Sequence, residues 1–131
     1  MISRLGKRMQ IKGEGGFTLI ELLVVIIIIA ILAAIAIPMY LSQRQKGWNS
    51  NMQSDLRNAA VAEESYFTAN SAYTGVIANL ETEGFNPSTN VTLVVASADA
   101  AGYCINASYA GYGAVYHLDS DDGDPRTGPC V

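Results

Sequence analysis

Glu21 is the residue whose type and place most demand a chemical explanation, because it is the single charge between positions 17 and 41. A carboxylate in an apolar helix costs roughly 2.5–3.5 kcal/mol at the centre of a membrane, less near an end of the span. Its neighbours Phe17 to Ile20 are mostly apolar and offer no obvious compensation. A cut between Gly16 and Phe17 would create an α-amine four residues away on the same helix face. That amine would pair with its own Glu21 or with that of a neighbouring copy. A second candidate is the run Asp119-Ser120-Asp121-Asp122-Gly123-Asp124-Pro125. Carboxylates suit calcium, a hard cation that takes oxygen ligands, and Asp119, Asp121, Asp122 and Asp124 are a weak candidate set. The spacing departs from the EF-hand pattern, with Gly123 at the fifth position and no closing Glu, so a solvated acidic turn is the simpler reading. One histidine, His117, and two cysteines, Cys104 and Cys130, complete the reactive inventory. They assemble no Ser-His-Asp or Cys-His set, and no glycine motif cradles phosphate. No catalytic residue is expected, and no cofactor beyond the calcium candidate. The chain does not read as an enzyme.

The elements around Glu21 fall into three unlike blocks. Residues 1–16 carry Arg4, Lys7, Arg8 and Lys12 against Glu14, a net +3, whereas residues 42–131 carry four basic and ten acidic groups, a net −6. Between them lies an apolar segment, 17–41, that as a helix of 25 residues would reach ~37 Å against ~30 Å of hydrocarbon. Basic residues ahead of it place the N-terminus inside and the remainder outside. Two rival readings exist. The small residues Ala33-Ala34-Ile35-Ala36 would suit a signal-peptidase cut after Ala36, although the apolar run exceeds the usual ~7–15 residues. A plain signal anchor is the other. The acidic remainder excludes a general nucleic-acid binder, which would carry a basic surplus.

Leu22 to Ile37 has no polar side chain on any face, so such a helix must be surrounded by lipid or by other helices. Pro38 removes a rung of the helical ladder and predicts a bend near the membrane exit. Helix formers then continue from Ser42 to Asn70, with Gly47 a weak spot and with Arg44, Lys46 and Trp48 flanking the membrane boundary. Met52, Leu56, Ala59/Ala60, Glu63 and Phe67 fall in a stripe, broken only by Glu63, that would pack one face on a globular head. Residues 75–90 read as a connecting loop. Val91–Ala96, Tyr103–Ser108 and Ala114–Leu118 read as strands joined by short connections, hence an antiparallel meander. Tyr103, Tyr109, Tyr112 and Tyr116 are expected to be half-buried core. The fold class is α+β, a long helix laid on a small three- to four-stranded antiparallel sheet. Its domains are a leader (1–16), a membrane helix (17–41) and a head (42–131).

The stretch Gly16-Phe17-Thr18-Leu19-Ile20-Glu21-Leu22-Leu23, followed by the aliphatic run and Pro38, resembles the class III signal of type IV pilins and their relatives. Those relatives include type II secretion pseudopilins and competence pilins. The resemblance is strong over residues 13–42, looser over Ser54 to Ala60, and only architectural beyond residue 75. It implies that a prepilin peptidase cuts after Gly16 and methylates the amine of Phe17. It also implies that the stem stays on the product, first as a membrane anchor and then as the interior of a filament. The implied partners are other copies of the chain, the peptidase, an inner-membrane assembly platform and, before assembly, the membrane. The finished product would be an extracellular pilus. Outside the cytoplasm an even pair of cysteines favours a bridge, and Cys104–Cys130 would match the disulfide-bounded C-terminal loop of many pilins. The function implied is a pilus subunit for motility, adhesion or DNA uptake. The alternative is a secretion pseudopilin, whose aspartate-proline-tryptophan stretch is missing here. A monomeric signal-anchored binding protein is the third reading.

Overall fold

A computed structural model describes residues 15–131, so of the expected leader only Gly15 and Gly16 lie among the described residues. The long helix α1 spans Leu19–Asn70, 52 residues, with Pro38 inside it. The missing N–H of Pro38 therefore removes one hydrogen bond without ending the helix. The chain divides between Tyr40 and Leu41 into two compact units. In the first, the side chains of α1 are exposed almost without exception, Leu19 at 82% and Ile29 at 58%.

The second unit, the head, contains the rest of α1 and all that follows. Residues 75–90 are more than a loop, because α2 (Ile77–Thr82) forms within them. Its single buried residue, Leu80, anchors this short helix in the core. Too brief for a periodic signal, α2 depends on that tertiary contact. Strands β1 (Val91–Ala98), β2 (Tyr103–Tyr109), β3 (Tyr112–Asp119) and β4 (Arg126–Thr127) follow in an antiparallel sheet ordered as in the sequence. All three expected strands are present and run slightly longer. A register shift between Val95 and Ser97 marks a bulge in β1.

Strand alternation explains the layers. Val91 and Leu93 of β1, and Tyr103, Ile105 and Ala107 of β2, point into a core that includes Met52, Leu56, Ala59 and Ala62 of α1. The opposite face of β2 presents Cys104 and Asn106, and the C-terminal tail covers it. Cys130 is disulfide-bonded to Cys104 and donates its backbone N–H to Asn106 Oδ1 at 2.7 Å. His117 Nδ1 meets the Gly128 carbonyl at 2.8 Å, and the Gly128 N–H donates to Val115 O at 2.8 Å. Closing the 26-residue separation stabilises the head by about 3–4 kcal/mol in the chain-entropy model.

Two buried carboxylates on the inner face of α1 hold the connecting segment. Asp55 is 2% exposed and accepts from Ser88 twice, from its N–H at 2.7 Å and its hydroxyl at 2.8 Å. Glu63 is fully buried and accepts the Thr74 N–H on Oε2 at 2.9 Å, while its Oε1 is buried without a partner. Burial pushes the Glu63 carboxyl above its usual range, the Thr74 bond opposes this, and Glu64 adds to the rise. Phe67 does not join the core but stacks on Tyr73 at 4.6 Å, and Tyr73 meets Tyr103 edge-on at 4.8 Å. Burial also raises the Tyr103 phenol to about 12, with Glu64 and Glu63 contributing.

Asp55→Ala leaves the buried Ser88 groups unpaired and is expected to lower head stability by ~2 kcal/mol, read as a denaturation midpoint shift. Asp55→Asn, which can both accept from the N–H and donate to the hydroxyl, should lose clearly less. For Glu63 the folded value lies above the unfolded one. Its contribution is therefore present below the usual carboxylate range and lost as pH rises through the raised value. Glu63→Gln should gain melting temperature relative to the native chain at pH 7 and lose that advantage near pH 4.

Candidate functional site

The N-terminal unit places Glu21 in a setting that its sequence spacing already encoded. Thr18 precedes the first helical residue, Leu19, and Glu21 lies three positions after it, so Thr18-Leu19-Ile20-Glu21 forms a capping box. The Thr18 N–H donates to Glu21 Oε2 at 2.9 Å, and the Glu21 N–H donates to Thr18 Oγ1 at 3.2 Å. Attention to the apolar context alone passes over this pattern. Before any cut, therefore, the carboxylate neutralises the helix N-terminus of its own chain, where a negative charge is favourable.

The box also fixes where the helix stops. Residues 15–18 are non-helical and exposed, and Phe17 is 90% exposed. A Cβ built on Gly15 or Gly16 would touch nothing within 4 Å, so among the described residues nothing crowds the chain just ahead of Phe17. An extended, uncrowded peptide is the form that a protease active site can grip. Immediately after the box comes the stem, the only helix among the described residues long and apolar enough to cross a membrane. Its apolar side chains have nothing in their own unit to bury them.

The C-terminal acidic stretch is organised differently from a cation cage. Asp119 Oδ1 accepts the Asp121 N–H at 3.0 Å. Asp122 pairs with Arg126 at 2.9 Å, and Asp124 with Arg57 at 3.4 Å. Among the described residues no group of three or more histidine, cysteine or acidic side chains converges to hold a metal ion. Asp122 and Asp124 are thus each engaged by an arginine and point to different partners. The four tyrosines lie on the sheet as expected, Tyr103 buried and Tyr109, Tyr112 and Tyr116 partly buried against the core.

The family model of the prokaryotic N-terminal methylation motif matches residues 11–37, a span that contains the Gly16–Phe17 junction and Glu21. Over 121 residues, 92% of each chain, the sequence is 38% identical to the type IV wide pilus major component of Thermus thermophilus. It is 35% identical over 89 residues to the type IV major pilin protein of Myxococcus xanthus, covering 68% of this chain and 39% of that one. It is 34% identical over 82 residues to the type II secretion system core protein G of Pseudomonas aeruginosa, covering 63% and 58%.

Thr18→Ala removes one half of the capping box. The expected result is a first turn weakened by about 1 kcal/mol, hence roughly fivefold faster hydrogen exchange at the Glu21 amide. Exchange in the middle of the stem should be unchanged.

Proposed function

The chain belongs to the type IV pilin family, and from that premise we propose that maturation converts the Glu21 cap into an assembly contact. The pilin is a pilus subunit; the proposal concerns how it is readied and joined. A prepilin peptidase cuts the exposed Gly16–Phe17 bond, removes residues 1–16, and methylates the new amine of Phe17. Cleavage leaves eleven acidic against four basic residues, a net charge of −7, and puts a cation one helical turn from Glu21. A methylated amine keeps its positive charge, so the carboxylate acquires a stronger partner than the Thr18 N–H that holds it before the cut.

Moving the stem from lipid into a bundle of stems gains little hydrophobic energy, since both surroundings are apolar. Packing supplies adhesion, but a uniformly aliphatic surface such as Leu22–Ile37 specifies no register along its length. The Glu21–amine pair does. An incoming subunit, delivered by the inner-membrane assembly platform, slides until its carboxylate meets the Phe17 amine of a neighbour. Such a pair need contribute little net stability, while leaving one member unpaired costs about 3–5 kcal/mol. The observation that carries this reading is the exposed, non-helical cleavage junction set one turn ahead of the only charge in the stem.

The similarity to a type II secretion core protein keeps a pseudopilin role as the second reading. The pilus reading is favoured by the pilin match over 92% of the chain, longer than the 63% covered by the secretion protein. Mass spectrometry of the mature chain should find Phe17 at its N-terminus with one added methyl. An N-terminus downstream of the stem would exclude stem retention. Glu21→Ala should insert and be cut normally, yet lose filament yield roughly a hundredfold, equivalent to ~3 kcal/mol. Undiminished filaments from this variant would remove Glu21 from assembly.

A further inference from the structure

The four cations downstream of the leader are distributed unevenly. Arg57 and Arg126 are paired with Asp124 and Asp122. Arg44 and Lys46 lie together on α1, both exposed, and among the described residues Lys46 makes no ion pair. Two residues further on, Trp48 stacks on Tyr109 with ring centres 5.2 Å apart and tilts against Tyr112 at 5.1 Å. The Arg44 guanidinium lies 5.0 Å from the Trp48 ring centre. These contacts hold the β2–β3 turn, with Ala110 and Gly111 exposed at its tip, beside the basic stretch of α1. Five of the head's acids are engaged with partners outside this stretch: Asp55 with Ser88, Glu63 with Thr74, Glu64 with Tyr73, and Asp122 and Asp124 with Arg126 and Arg57.

We infer that Arg44, Lys46, Trp48, Tyr109 and Tyr112 form a docking surface for the phosphate headgroups of membrane lipids, seating the head on the bilayer before assembly. This rests on the reading of the stem as the precursor's anchor. Leu41 ends the apolar run, and Trp48 follows it by seven residues, or ~10 Å along a helix. A headgroup layer is ~5–7 Å thick on each side, so the Trp48 backbone stands just outside it, and side chains that lean toward the helix N-terminus carry its ring and the Arg44 and Lys46 cations back into it. Partly buried aromatic rings with polar edges favour this layer. The head carries ten acidic against four basic residues and is repelled by anionic lipid as a whole, so two neighbouring cations beside aromatic rings also select an orientation.

Trp48 is the only tryptophan in the chain, which makes the test direct. In a Trp48→Phe background, Ala110→Trp moves the fluorophore to the turn tip, and Val61→Trp moves it to an exposed site on α1 as a control. The full chain is placed in vesicles of phosphatidylglycerol with phosphatidylcholine, and in phosphatidylcholine alone. On the anionic vesicles the probe at 110 should be shielded from acrylamide and quenched by brominated lipid, while the probe at 61 is not. Lys46→Gln, at an exposed site that leaves the fold intact, should lower the docked-to-free ratio about fivefold. Native Trp48 is read alongside as the control for the background: equal acrylamide quenching at 110 and 61 on a chain that still floats, with native Trp48 left unquenched by brominated lipid, overturns the docking surface. Protection at 110 that follows protein density and ignores both lipid charge and Lys46→Gln also overturns it, assigning the face to a neighbouring copy. A chain that fails to float overturns the anchor reading itself.

Discussion

Glu21 must have a partner at every stage of the molecule's life, because an uncompensated charge beside hydrocarbon is expensive. In the uncut chain the Thr18 N–H fills that role at 2.9 Å. The same bond pins the start of α1 at Leu19 and leaves the Gly16–Phe17 bond outside the helix. One interaction thus protects the carboxylate, defines the stem and presents the junction. After a cut at that junction, the group competing for Glu21 would be a cation, and a charge-assisted bond is roughly twice as strong as one to a neutral donor. Were that cut made, the weaker partner would hold the acid until the stronger one existed.

The head answers a separate problem, that of stabilising a small body around a thin core. Its sheet can bury only one face on α1, so the outer face of β2 relies on a covalent tie to the C-terminal tail, while a short fourth strand pairs with β3 at the sheet edge. On the inner side, the long segment from Asn70 to Val91 is held by Asp55 and Glu63 as well as by Leu80 and Phe85. The two acids are not equivalent. Asp55 has both oxygens satisfied, whereas Glu63 has one oxygen buried and unpartnered. Burial therefore raises the proton affinity of Glu63, and the neighbouring Glu64 works in the same direction.

How much of this the sequence discloses depends on the range of the interaction concerned. The stem is legible because sixteen consecutive apolar residues leave no alternative, and the three main strands because β-branched and aromatic runs alternate between turn signals. The α1 stripe is legible in Met52, Leu56 and Ala59, but Asp55, Ala62 and Glu63, which reads as a break in it, belong to it too. Asp55 is hidden from pattern reading because an acid scores as solvent-facing until its partner, Ser88, is known from 33 residues away. The helix α2 is hidden for a like reason, since six residues with one buried leucine carry no periodicity. The capping box is the exception. It is local, it lies in plain view at Thr18 and Glu21, and it is obscured only by the greater oddity of a charge in an apolar run.

A single helix, α1, serves two solvents, and the change of side-chain chemistry along it explains how it avoids serving either badly. From Leu22 to Ile37 its surface is uniformly apolar, indifferent to whether lipid or another stem surrounds it. From Met52 onward it has a distinct inner face committed to the core. Between these lies a short interval, Ser42 to Asn51, with no residue fully buried. There the apolar stem gives way to Arg44, Lys46 and Trp48, and the head first touches α1 through aromatic rings rather than aliphatic packing. Rings with a polar edge tolerate both a wet and a greasy neighbour, which aliphatic side chains do not.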